Sequence, residues 1–208
     1  PGTPSLYIFF DGKLYFTPLD QVSAESSVVQ LVYDLSKFKD RQFDACPPTV
    51  IDANKQYTAT LETTKGKIVI ELLPDKAPLA VNSFVFLARE GWFDNAPWHR
   101  VLEGFVAQSG DPSGTGVFGP GYLFKNETND LKFDQAGVVG MANSGADRNG
   151  SQFFITLAAT PNLDGGYTIF GRVVEGMDVV QSLTLRDPQS GGVLPEPDLI
   201  LSVTIEEK

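Results

Sequence analysis

Histidine and cysteine are nearly missing from this chain of 208 residues, which has one of each, His99 and Cys46. A single cysteine excludes an internal disulfide and every multi-cysteine metal site. A single histidine excludes the paired-histidine zinc motifs. A Ser–His–Asp triad would rest on His99 alone, and no G-x-S-x-G elbow accompanies it. Long apolar runs are missing too, since none approaches the roughly 18–20 residues that span a bilayer. Positive charge is scarce: 16 Lys and Arg stand against 26 Asp and Glu, for a net charge of −10. No cluster of Lys or Arg offsets that balance, which argues against nucleic acid as a partner.

What remains is the composition of a folded domain with 42% hydrophobic residues, too apolar for a disordered chain. The length fits one domain with an appendage. The first fifty residues read differently from the rest. Two aromatic runs flank Asp11-Gly12, the pair that suits a type I′ turn, and predict a β-hairpin over 6–17. Val28, Leu31, Val32 and Leu35 then recur at helical spacing and predict a helix over about 20–38. Pro47-Pro48 reads as a stiff linker. A lone hairpin and helix bury too little surface to stand alone, so this extension (1–50) is expected to dock on the following domain or contact a partner.

From Tyr57 onward, short strands separated by Gly- and Pro-rich loops alternate with only two helical patterns, one opening at Pro78 and one over 177–183. That pattern predicts a mainly β domain over 51–208, a closed barrel with helices across its ends. Gly114-Thr-Gly116-Val-Phe-Gly119 matches G-x-G-x-x-G, but Pro120-Gly121 follows where a nucleotide site needs a helix N-terminus. It reads as a loop. His99, with no nucleophile near it in sequence, reads as a strand-side histidine satisfied by a backbone carbonyl. Two N-glycosylation-type triplets start at Asn126 and Asn149.

The segment Trp98–Asp111 (W-H-R-V-L-E-G-F-V-A-Q-S-G-D) resembles the F-H-R-x-x-x-G-F-x-x-Q-G-G-D signature of the cyclophilins, the peptidyl-prolyl cis/trans isomerases. Gly114-Thr-Gly116, Gly140–Gly145, Asn149–Ile155, Leu163–Gly165 and Phe170–Val173 match the later signatures in order. The resemblance covers about 57–206. It implies a closed eight-stranded antiparallel β-barrel capped by two α-helices, with no cofactor or metal. It also implies roles. Arg100 is the catalytic arginine, with Phe105 and Gln108 beside it. Phe105, Val106, Phe154, Leu163 and Tyr167 line a proline pocket, while Gln108, Ala142, Asn143 and Gln152 hold the peptide backbone. Gly114 and Ser144 border the neighbouring pocket, and His99 joins the peptide-contacting residues by its place in the motif. The implied partners are proline-containing segments of peptides and of folding proteins.

The chemistry suits those residue types. Rotation about a peptide bond faces a barrier of about 18–20 kcal/mol, and only X–Pro bonds populate cis appreciably. No bond breaks, so no nucleophile is required. Four positions depart from the commonest family pattern. Val106 replaces Met, Ser109 replaces Gly, Tyr167 stands where many members have His (as in many bacterial forms), and Asn162 stands where cyclosporin-sensitive members have Trp. The loss of that large aromatic contact predicts weak cyclosporin binding. A start at Pro1 rather than Met, net acidity and no disulfide favour an extracytoplasmic location over a cytoplasmic one.

Overall fold

The computed structural model describes residues 5–10, 13–18, 38, 41–190 and 193–208, the first two stretches as backbone only. The chain divides into two compact units, Pro1–Gln42 and Phe43–Lys208. In the first, β1 (Ser5–Phe10) pairs antiparallel with β2 (Lys13–Pro18), with Phe10 opposite Lys13. That register leaves two residues to connect the strands, as expected of an Asp-Gly hairpin. The helix expected over 20–38 lies almost wholly outside the described residues.

The second unit begins eight residues before the boundary read from the sequence. The segment after Phe43 is not a free linker: Phe43 N–H donates to Pro120 O (2.8 Å), and Asn82 exchanges hydrogen bonds with Val50 N–H and Pro48 O. The prolines limit its backbone freedom without preventing side chains and peptide groups from docking.

Nine strands form one antiparallel sheet: β3 (Tyr57–Thr63), β4 (Gly66–Leu72), β5 (Ala96–Pro97), β6 (Arg100–Val101), β7 (Val106–Ser109), β8 (Val138–Asn143), β9 (Asn149–Thr156), β10 (Ile169–Glu175) and β11 (Leu199–Glu207). Their order is β5-β11-β3-β4-β10-β8-β9-β7-β6. The end strands β5 and β6 are separated only by Trp98 and His99, so the sheet must curl to bring its two edges together. Ser109 lies on β7 and donates its Oγ to Pro97 O on β5 (2.9 Å), tying the edges together.

Strands β3 and β4 show why the sheet has an inside. Tyr57, Ala59 and Leu61 alternate with more exposed residues, as do Ile68, Ile70 and Leu72. Two helices are described in this unit. Helix α1 (Pro78–Arg89) starts at a proline, whose missing N–H costs nothing in a first turn, and packs against β9 and β11. The Glu127 carboxylate accepts from the N–H groups of Leu79 and Ala80, both 2.9 Å, where a helix N-terminus favours negative charge. The Phe84 ring enters an aromatic core, 4.9 Å from Phe93, 5.4 Å from Phe170 and 5.5 Å from Phe153. Helix α2 (Met177–Gln181) packs on β4 and is shorter than its sequence pattern suggests. No helix among the described residues is long and apolar enough to cross a membrane.

Candidate active site

Arg100 lies on β6 opposite Gln108 on β7, and Gln108 lies opposite Phe154 on β9. Backbone register therefore brings together residues up to 54 positions apart. Arg100 donates to Gln108 Oε1 (3.4 Å), and its guanidinium carbon lies 5.5 Å from the Phe105 ring centre. Gln108 Nε2 donates to Gln152 Oε1 (2.9 Å), and Gln152 Nε2 donates to Phe118 O (3.4 Å). Arg100 is half-buried and pairs with no carboxylate among the described residues, so its charge remains available.

The apolar half of the site is a single cluster. Val106, Phe133, Val138, Phe154 and Ile169 are buried, and Phe105, Leu131, Ala142, Leu163 and Tyr167 pack against them while keeping part of their surface open. Tyr167 meets Phe154 edge-on at 5.6 Å. Val106 and Phe154 are 2% and 4% exposed, whereas Phe105, Leu163 and Tyr167 are only partly buried against the cluster. Leu163 is held by a 3-10 turn (Pro161–Leu163), and Asp164 just beyond it accepts the N–H of Phe133 (2.9 Å).

Two loops border these halves. On one side Asp111 is wholly buried, and its carboxylate accepts from Ser113 N–H and Oγ–H, Thr115 Oγ1–H, and the N–H groups of Val117 and Phe118. Gly114 takes φ +72°, and a Cβ there would lie 2.8 Å from Pro97 Cγ. Gly110 takes φ +93°, with Ser151 O in the place of a side chain, and its own carbonyl accepts from Trp92 Nε1 (2.9 Å) and Ser151 Oγ (2.7 Å). On the other side Asn143 donates to Gly166 O and accepts from Gly145 N–H, both 3.2 Å, while Ser144 is exposed and accepts from Arg148 Nε.

His99 is placed differently from its expected peptide contact. It is 3% exposed, and the loop at Gly116 covers its ring. Burial holds its pKa below the usual value; Asp111 and the Pro97 carbonyl pull the other way, and Arg100 and Arg186 add to the depression. Neither ring nitrogen completes a well-formed hydrogen bond, although the Pro97 carbonyl, the kind of partner expected for it, lies close enough to act on its charge. The reason is local: His99 sits in the bend between β5 and β6, where its side chain turns under the loop while Arg100 remains accessible. The Asn149 triplet is also structural, because Asn149 is buried and its Nδ2 donates to Phe124 O and Asn126 Oδ1.

Sequence reasoning missed three features of the site. Asp111 closes the first motif, but its role as the loop's internal acceptor was signalled only by the Ser, Thr and Gly that follow it. The stack of Trp92 on Phe118 (5.9 Å, 5° between planes) and the acceptor carbonyl of Phe118 carry no local signal.

The curled antiparallel β sheet thus brings together an arginine that pairs with no carboxylate among the described residues, two linked amides and a partly open apolar cluster. The family model described as Cyclophilin type peptidyl-prolyl cis-trans isomerase/CLD matches residues 58–205, and the chain belongs to that family. It is 48% identical over 149 residues to the peptidyl-prolyl cis-trans isomerase cypE of Dictyostelium discoideum, covering 70% of this chain and 96% of that one. It is 50% identical over 141 residues to the peptidyl-prolyl cis-trans isomerase ppi1 of Schizosaccharomyces pombe, covering 66% and 91%. Among solved structures, a cyclophilin type isomerase of Cryptosporidium parvum superposes with a TM-score of 0.66 at 31% identity, over 73% of this chain and 98% of that one. The same enzyme has been solved in the presence of the dipeptide Ala-Pro (TM-score 0.65, 30% identity, 72% and 98%). The protein is a peptidyl-prolyl cis-trans isomerase.

Proposed function

We propose that the enzyme accelerates X–Pro rotation by holding the proline ring over Phe154 while Arg100 donates to the prolyl nitrogen. As the amide twists, that nitrogen loses conjugation and gains a lone pair, which a guanidinium can meet at any ordinary pH. The observation that carries this reading is the position of Arg100: half-buried, beside Phe105, bonded to a neutral amide and, among the described residues, to no carboxylate. Gln108, Gln152 and Asn143 supply amides to grip the flanking backbone, with Ala142 beside them. Gly114 and Ser144 bound the adjoining subsite.

The energetics require more than the arginine. A 10⁵-fold acceleration corresponds to roughly 7 kcal/mol. One charge-assisted hydrogen bond is worth about 1.5–3 kcal/mol. Grip on the twisted backbone and desolvation of the amide supply the remainder. The reading is tested with a proline-peptide exchange assay on Arg100→Ala. The expected result is a loss of about 100-fold or more in kcat/KM with the fold retained. An unchanged rate would sink it and leave the groove a binding module.

Three finer readings accompany this one. The short pieces β5 and β6 count as one bent strand, which makes the sheet a closed eight-stranded barrel; their separation by two residues and the Ser109–Pro97 bond support this. Cyclosporin binding is weak, because the exposed Asn162 offers no aromatic surface; submicromolar inhibition would contradict it. The extension over 1–50 acts as an accessory segment that docks on the domain or contacts a partner. Its deletion, followed by stability, oligomeric state and client binding, tests that role.

A further inference from the structure

Residues 43–52 precede the family-matched region, yet they are fastened to it at both ends. Phe43 N–H bonds to Pro120 O, Cys46 Sγ donates to Leu123 O (3.6 Å), and Val50 bonds to Asn82 and Arg89 of α1. The Phe43 ring meets Phe86 edge-on at 4.9 Å and lies 6.4 Å from both Trp92 and Tyr122. Trp92 in turn stacks on Phe118, whose carbonyl is the acceptor for Gln152.

That carbonyl has a directional effect. An amide side chain has one donor end and one acceptor end. With its Nε2 committed to Phe118 O, Gln152 turns its Oε1 to Gln108, which then turns its own Oε1 to Arg100. Displacing the carbonyl frees both amides to flip, and a flipped Gln108 would present a donor to a donor-only guanidinium.

We propose that Phe43 is a positioning residue for Arg100, acting through the Trp92–Phe118 stack and the oriented pair Gln152–Gln108. The strap before the family-matched region thereby sets the pose of the arginine without touching a peptide. This inference rests on the role assigned to Arg100 above.

The test uses the full chain and an Ala-Pro-containing peptide, with exchange NMR giving the bound-state isomerisation rate and a titration giving Kd. Phe43→Ala is expected to lower the bound-state rate about three- to tenfold and to leave Kd within about twofold, because orientation rather than contact is lost. The side-chain amide ¹⁵N signals of Gln152 and Gln108 should shift in the same variant, and Phe43→Tyr should restore both rate and signals. If Phe43→Ala does not fold, Phe43→Leu carries the same expectations, since it keeps volume and loses the ring edge. A wild-type rate in the folded variant, or a reduced rate with unshifted amide signals, would overturn the proposal. Arg100→Ala is measured alongside. If it keeps the wild-type rate, the reading of Arg100 fails whatever Phe43 does.

Discussion

The two loops beside the candidate site hold their shape in opposite ways. The 111–118 loop wraps around a wholly buried carboxylate that receives five hydrogen bonds, two of them from the backbone N–H groups of Val117 and Phe118. The 144–148 loop is exposed throughout and is held by single bonds at its rim: Asn143 to Gly145, Arg148 to Ser144, and Asp147 to Asn126. Buried charge-assisted bonds are strong and costly to lose, whereas exposed ones compete with water. The rigid loop carries the Phe118 carbonyl from which the Gln152–Gln108–Arg100 series hangs. The loop next to the Gln152–Gln108–Arg100 series is thus anchored internally, while the 144–148 loop is left to surface bonds.

The sharpest way to break the contrast is Asp111→Ala. It strands buried N–H groups and is expected to cost about 3 kcal/mol. For a chain of this size that lowers Tm by roughly 6–12 °C, readable in a thermal melt. Activity should fall as well, because Phe118 moves with the loop. Gly114→Ala comes next: a side chain at φ +72° that meets Pro97 should cost about 2 kcal/mol, measured by urea unfolding. A cost near zero would mean that the loop yields more readily than its buried anchor implies.

A smaller, pH-dependent effect comes from His99, which faces Asp111, Arg100 and Arg186. Its folded pKa lies below the ordinary value of 6.5, so the unfolded chain binds the proton more readily. Stability is therefore fully present above pH 6.5 and declines as pH falls from there toward the depressed folded value. His99→Gln should flatten that decline in unfolding experiments between pH 5 and 6.5, in the range set by an ordinary histidine pKa of about 6.5. An unchanged slope would show that His99 does not titrate differently on folding. The smallest effect belongs to the exposed loop, where Arg148→Ala should change stability by at most about 0.5 kcal/mol. A larger loss would erase the contrast between the loops.

Much of this arrangement could be read without coordinates. Alternating burial in β3 and β4, Pro78 at the start of α1, and the ordered motifs from Trp98 to Val173 all rest on local rules of period, capping and spacing. Arg100, Gln108, Gln152 and Phe154 were legible only through the resemblance of their motifs to the cyclophilin signatures, and the folded sheet brings them side by side. His99 was not legible in the same sense. Its neighbour Arg100 remains accessible while His99 turns inward, and that difference depends on a bend between two strands whose partners, β11 and β7, lie far apart in the chain. The strap at 43–50 was hidden for a related reason: Pro47-Pro48 describes local stiffness, while docking depends on Asn82, Arg89 and Pro120.

The amino-acid order alone therefore determined the class of chemistry. Scarce His and Cys argued against metal and nucleophilic routes, and the ordered motifs from Trp98 to Val173 resemble those of the cyclophilins, whose reaction breaks no bond. Only the tertiary structure decided which groups are exposed, which amide end faces the arginine, and that one buried carboxylate holds the loop whose Phe118 carbonyl receives Gln152. Those are consequences of burial and hydrogen-bond direction between segments brought together by the curl of the sheet, and no local pattern encodes them.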